Sequence, residues 1–221
     1  MSLGATKCEL GDKLITGEME TSKNGPFVYT IGHSIHSLEK LISLLNDHKI
    51  EVLVDIRSEP FSRKVPHFNK DNLEKEIKKS RLKYLFLGKE LGGRPKKRQF
   101  YDQEGFVLYS RIAESPDFKA GLERLLNGIE KFRVALMCSE ENPANCHRRL
   151  LVGRVLLNAG VEVLHIRADG SIQSEEQIPG DQSKRNGDVI QRSLFVNEEP
   201  SEWKSTQSVL RRKAPSNSSV H

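Results

Sequence analysis

The sequence predicts a single three-layer α/β domain built on a mostly parallel, Rossmann-like sheet of about five strands. Two observations predict it. Short apolar, β-branched runs alternate with amphipathic stretches at helical spacing. The runs are apolar on consecutive positions, which is the pattern of strands covered on both faces.

Each element follows from its residues. Phe27-Val28-Tyr29-Thr30-Ile31 reads as the first strand, ended by Gly32. Ser37 is a candidate N-cap for a helix that places Leu38, Leu41, Ile42 and Leu45 on one face. Val52 to Ile56 reads as a second strand, apolar except for Asp55. A second helix starts near Asp71 with Leu73 and Ile77 inward, and Leu82 to Leu87 follows as a third strand. Asp117 to Lys131 forms a helix on Phe118, Leu122, Leu125, Leu126 and Ile129. Val134 to Cys138 is the fourth strand. Pro143 to Asn158 reads as one long helix, with Asn142 as its cap and Gly160 after its end. Val161 to Ile166 is the fifth strand.

Sustained apolar patterning begins at Pro26 and runs to about Phe195. Residues 26–195 are therefore expected to form the domain. Residues 1–25 and 196–221 are expected to be weakly structured ends, the second holding the only tryptophan, Trp203. No run of eighteen apolar residues exists, which excludes a membrane helix and a membrane partner of that kind. The N-terminus lacks a basic-then-apolar leader, and three cysteines do not make a disulfide scaffold. A cytoplasmic protein is expected. The net charge is +5. Lys78 to Arg98 carries nine basic residues against one acid, Glu90. That run is either a solvated helix end and loop, or a rim that attracts phosphate.

Parallel strands share one carboxyl edge, and ligands bind there. The residues at that edge are polar. Gly32, His33 and Ser34 follow the first strand, and Asp55 and Arg57 close the second, with Arg63 in the loop beyond. Gly92 and Gly93 follow the third. Cys138 ends the fourth and Glu140 follows it, ahead of Cys146, His147 and Arg148. Such convergence predicts a site. His33 is an acid or base candidate near neutral pH, or a loop histidine bonded to a carbonyl. Asp55 is either a catalytic carboxylate or the partner of Arg57 in a structural ion pair. Arg148 does not complement a helix start, which favours an anion or carboxylate partner.

Cys138 and Cys146 carry three readings. One is a reactive thiolate, although no arginine lies six positions after either cysteine as in phosphatase loops. The second is a metal or redox site with His147, without the paired C-x-x-C spacing of common zinc sites. The third is plain core packing.

Four segments resemble a known family: Thr30 to Ser34, Val54 to Ser58 with Pro60 and Arg63, Leu87-Gly88 with Leu91-Gly92-Gly93, and Cys138-Ser139-Glu140 with Cys146-His147-Arg148. The family is the uncharacterised one catalogued as domain of unknown function 488, and the resemblance spans about residues 27–195. It implies a cytosolic α/β domain with two characteristic cysteines, Cys138 and Cys146, and no established reaction. Its motif positions fall on His33, Asp55, Arg57, Arg63, Gly92, Gly93, Cys138, Glu140, Cys146, His147 and Arg148.

The expected function is an enzyme, a hydrolase or transferase, on a phosphate-bearing, nucleotide-like or nucleic-acid substrate. His33, Asp55, Glu140 and Cys138 are the catalytic candidates. Gly32, Ser34, Arg57, Arg63, Gly92, Gly93 and Arg148 are the anion or substrate ligands. The expected partner is an anionic small molecule or nucleic acid, with no cofactor and no metal. The alternatives are a nucleic-acid-binding module without catalysis, and a thiol redox or metal protein using Cys138, Cys146 and His147.

Overall fold

A computed structural model describes residues 25–178 and 203–209. Residues 1–24 of the expected N-terminal extension, the last part of the expected domain and most of the expected C-terminal tail lie outside the described residues. Eight strands are described: β1 (Phe27–Gly32), β2 (Val52–Asp55), β3 (Lys83–Phe86), β4 (Phe106–Leu108), β5 (Val134–Cys138), β6 (Glu162–Ile166), β7 (Ile172–Ser174) and β8 (Lys204–Ser208). The helices are α1 (Leu38–Asp47), α2 (Lys70–Lys79), α3 (Tyr109–Glu114), α4 (Pro116–Ile129) and α5 (Arg154–Asn158).

The main sheet has six strands in the order β3-β2-β5-β1-β6-β7. The first five of these are mutually parallel. They are the five strands read from the sequence, within one or two residues at their ends. The short β7 adds antiparallel to β6 at the edge. The domain is therefore a three-layer α/β fold with a mostly parallel sheet.

Strand side chains alternate between faces, so one run of apolar residues feeds two cores. Val28, Val54 and Leu136 pack on one face with Phe118, Leu125 and Leu156. Tyr29, Leu53 and Ala135 pack on the other with Leu41, Leu45 and Ile77. Each fully buried leucine contributes about 2 kcal/mol by leaving water. Ser37 caps α1 by accepting from the Lys40 N–H at 3.2 Å. Ser115 does the same for α4, with Pro116 in the first turn.

The long helix expected over Pro143 to Asn158 is not continuous. Residues 143–146 form turns, and the helix begins as a π segment, Arg148–Gly153, before α5. The reason is local. Asn142 Oδ1 accepts from Ala144 N–H at 2.9 Å and the Cys146 N–H bonds the Pro143 carbonyl, which closes turns in place of a first helical turn. Cys146 therefore sits ahead of the helix, and not within it.

A second, two-stranded sheet pairs β4 with β8 antiparallel. β8 lies in the stretch expected to carry little structure. Trp203 anchors it: its indole N–H donates to the Leu150 carbonyl at 2.9 Å, and Arg154 lies over its ring. Among the described residues, no helix is long and apolar enough to cross a membrane.

Candidate functional site

The register pairs Gly32 with Cys138 and Asp55 with Met137, so β1, β2 and β5 end almost level. A cavity of about 480 Å³ opens at those ends. His33 and Ser34 line it from β1, Arg57 from β2, and Cys138 and Glu140 from β5. Gly93 and His147 complete the floor, and residues 205–209 of the β8 segment form one wall. The β1–β5 ladder continues into the site, where His33 N–H bonds the Cys138 carbonyl and Ser34 N–H bonds that of Ser139.

Asp55 does not reach the cavity. It is fully buried and accepts from Arg57 Nε at 2.9 Å and from the terminal guanidinium nitrogen at 2.7 Å. The Tyr84 hydroxyl donates to the same carboxylate at 2.8 Å. Burial, and then the Asp55 charge, hold that phenol protonated. Asp55 thus aims Arg57. The guanidinium also donates to the Phe68 carbonyl and to His33 Nε2. Four of its five N–H groups have acceptors among the described residues, which leaves one for a ligand.

His33 is committed at both nitrogens. Nε2 accepts from Arg57 at 3.1 Å, so Nδ1 carries the hydrogen and donates to the Ser34 carbonyl at 2.9 Å. Its ring stacks on Phe68 at 4.3 Å between centroids. Burial, and then the Arg57 charge, lower its pKa to about 4. The imidazole is neutral at pH 7.

Cys138 and His147 are paired at the floor. Cys138 Sγ lies 3.5 Å from His147 Nδ1, and His147 Nε2 lies 3.0 Å from the Ile56 carbonyl. A carbonyl only accepts, so Nε2 carries the hydrogen and Nδ1 is free to accept from the thiol. Gly93 holds the ring in place, because a Cβ there would fall 2.4 Å from it. Gly93→Ala is expected to displace His147 and cost about 1–3 kcal/mol by overpacking. Urea unfolding checks it, and unchanged stability would refute the packing account.

Cys146 is fully buried behind Cys138 and does not line the cavity. It donates to Cys138, which together with the nearby Arg148 charge lowers the Cys138 pKa against burial. Burial, and then Cys138 itself, push Cys146 well up. Of the two, Cys138 ionises first. The ligand atoms of Cys138, Cys146 and His147 all lie within 4.8 Å of one another. Soft donors at that spacing are able to hold one thiophilic cation.

Arg148 is not at the cavity. It is fully buried and donates to Thr30 Oγ1 at 3.2 Å and to the backbone carbonyls of Glu140 and Glu141. The partner is Glu140's carbonyl and not its carboxylate. Thr30 in turn bonds His165 Nδ1 at 2.7 Å, and His165 Nε2 bonds Glu175 at 2.9 Å. Arg149 donates to Glu175 at 2.7 Å. This buried chain ties β1, β6 and the π segment together and fixes the loop after Cys138.

Gly32 also serves packing, since a Cβ there would fall 1.8 Å from the Glu140 carbonyl. Gly92 packs on Gly88, and Arg63 is exposed; neither is among the lining residues. The rim cations are Lys64 and Arg94. Exposed Ile35 and Phe61 flank the mouth. Sequence reasoning passed over Lys64, Tyr109 and the 205–209 wall. The run Phe106 to Tyr109 after Gly105 was a visible signal for Tyr109; the polar β8 gave none. Four lysines of the basic run are already engaged. Lys78 and Lys79 pair with Glu74 and Glu76, Lys97 lies 3.9 Å from Asp117, and Lys83 sits over the Phe132 ring.

No curated protein and no solved structure matches this chain. A family model does match, over residues 37–155, which is more than half of the 221 residues. That span takes in Asp55, Arg57, Gly93, Cys138, Cys146, His147 and Arg148, and leaves out the His33 loop. The chain that brings Cys138, His147 and Arg57 to one cavity belongs to the family described as Domain of unknown function DUF488.

Proposed function

We propose that this protein is a cysteine-dependent hydrolase or transferase acting on an anionic, nucleotide-like substrate in the sheet-edge cavity. One observation carries the reading: a cavity-facing thiol hydrogen-bonded to an imidazole whose other nitrogen is held by the Ile56 carbonyl. Nucleophile, base and orienting group in that order are the general signature of covalent catalysis. Of the four sequence candidates, Asp55 is buried in an ion pair and both His33 nitrogens are engaged. Cys138 is the group with a base at hand.

Cys138 Sγ passes its proton to His147 Nδ1 and bonds the electrophilic centre of the substrate. The leaving group departs with that proton. Water, or a second acceptor, then breaks the thiol link and restores Cys138. The free N–H of Arg57 supports the anion from below, with Arg94 and Lys64 at the rim. Ile35 and Phe61 offer an apolar platform for a planar group at the mouth.

The test is a turnover screen with nucleotides, sugar phosphates and phosphate esters. Cys138→Ser is expected to lower turnover at least about 100-fold while keeping the fold, as removal of a covalent nucleophile does. Full activity in Cys138→Ser would remove the thiol mechanism. Absence of turnover, with oligonucleotide binding that salt abolishes and Lys96, Lys97 and Arg98 changes to Gln weaken, would favour a binding module instead.

A further inference from the structure

We propose that Cys138 and Cys146 are a reversible disulfide couple that responds to hydroperoxide, Cys138 being the thiol that is oxidised and Cys146 the thiol that resolves it. The proposal shares the Cys138–His147 geometry with the function above and requires no turnover.

The two sulfurs have unequal access. Cys138 lines the open cavity, whereas Cys146 is fully buried behind it and outside the lining. A small oxidant therefore meets Cys138 first. The two sulfurs and the His147 nitrogen lie within 4.8 Å of one another, so an oxidised Cys138 has a second thiol beside it. The short segment between them is held at the Glu140 and Glu141 carbonyls by Arg148, which keeps the two cysteines side by side. Residues 139–146 run through turns and not through a rigid helix, and only the short 138–146 ring is closed. Both ends are tethered, Cys138 by β5 and Cys146 by its N–H to Pro143, which keeps the partners adjacent.

The steps balance. Cys138 Sγ, its proton taken by His147 Nδ1, attacks one oxygen of the hydroperoxide. An S–O bond forms and the O–O bond breaks. The departing alkoxide or hydroxide takes the proton from His147, and Cys138 becomes a sulfenic acid by two-electron oxidation. Cys146 Sγ then attacks the Cys138 sulfur. The S–S bond forms, the S–O bond breaks, and the hydroxide leaves with the Cys146 proton as water. An external thiol restores both cysteines by exchange. Because the disulfide withdraws the nucleophile, oxidation switches off any reaction that uses it.

The sequence supplies a direct readout. Trypsin cutting after Arg133 and Arg148 releases residues 134–148 as one peptide holding both cysteines, and Cys8 falls on another. The full chain is treated with hydrogen peroxide, its remaining thiols are alkylated, and the digest is weighed. The 134–148 peptide is expected two hydrogens lighter and unalkylated, and dithiothreitol before alkylation is expected to restore two alkylatable thiols. In Cys146→Ser, peroxide is expected to drive Cys138 on to sulfinic acid, two oxygens heavier and not recovered by dithiothreitol. Cys146→Ala serves as a second variant should the first not fold, with folding checked by circular dichroism. Two alkylated thiols after peroxide would overturn the proposal, as would over-oxidation of Cys138 in the unaltered protein without the light peptide. One equivalent of zinc in the purified chain that shields both thiols would also overturn it. All these readouts are masses and metal content, so the proposal stands or falls apart from the turnover screen.

Discussion

Asp55→Asn is expected to destabilise the protein by about 3–5 kcal/mol, the usual effect of removing one partner from a buried ion pair. The carboxylate is fully buried, and Arg57 is nearly so. The amide keeps the shape but removes the charge, and its NH2 cannot accept from Arg57. A buried guanidinium is then left without its counter-charge, and with one amide oxygen, the Phe68 carbonyl and His33 as its acceptors. The Tyr84 hydroxyl loses a charged acceptor as well. Urea unfolding measures the change, and a loss below about 1 kcal/mol would show that water or relaxation compensates the arginine. The effect on turnover is expected to follow through Arg57, because Asp55 itself does not line the cavity. Replacing the pair together, as Asp55→Asn with Arg57→Met, is expected to recover part of the stability and none of the anion binding, since no buried charge remains.

The second large effect is a dependence of stability on pH below neutrality. His33 titrates at about 4 in the folded protein, against an ordinary 6.5. Between these values the unfolded chain binds a proton that the folded chain refuses. Stability is therefore complete above pH 6.5, falls as the pH drops toward 4, and loses no more from this group below 4. The difference corresponds to about 3 kcal/mol. His33 is almost completely buried, so solvent screening does little to reduce it. His165 acts with the same sign, its pKa lowered by burial and by the Arg148 and Arg149 charges against its bond to Glu175. Urea midpoints at pH 7.5 and pH 4.5 check the sum. His33→Asn is expected to flatten the dependence by the His33 share. An unchanged slope in that variant would assign the effect elsewhere.

Much of this fold is legible without coordinates. The five parallel strands are runs such as Val52 to Asp55 and Val134 to Cys138, whose unbroken apolar character reports burial on both faces. Ser37 was readable as a cap because capping is a contact between residues three apart. The Asp55–Arg57 pair was readable for the same reason, since side chains two apart on an extended chain share a side. β8 was not legible. Lys-Ser-Thr-Gln-Ser has no apolar alternation, and it is held by pairing with β4 and by Trp203. The break in the helix after Pro143 was hidden as well, because the Asn142 turn competes with helix on nearly equal local terms.

The candidate site divides along the same line. From the sequence alone come the strand edge, the set of polar residues that meets there and the family they resemble. These rest on hydrophobic periodicity and on spacing, both of which are local properties of the chain. Only the tertiary structure decides which polar residues face the cavity. Arg57 and Arg148 look alike in sequence, yet one keeps an N–H for a ligand while the other is spent on Thr30 and two backbone carbonyls. His33 and His147 also look alike, yet one is locked at both nitrogens and the other keeps Nδ1 for a thiol. A buried polar group takes whichever partner lies within hydrogen-bond reach, and those partners are separated from it by as many as 135 positions of chain. Distance along the sequence carries no record of that choice, which belongs to the packed structure.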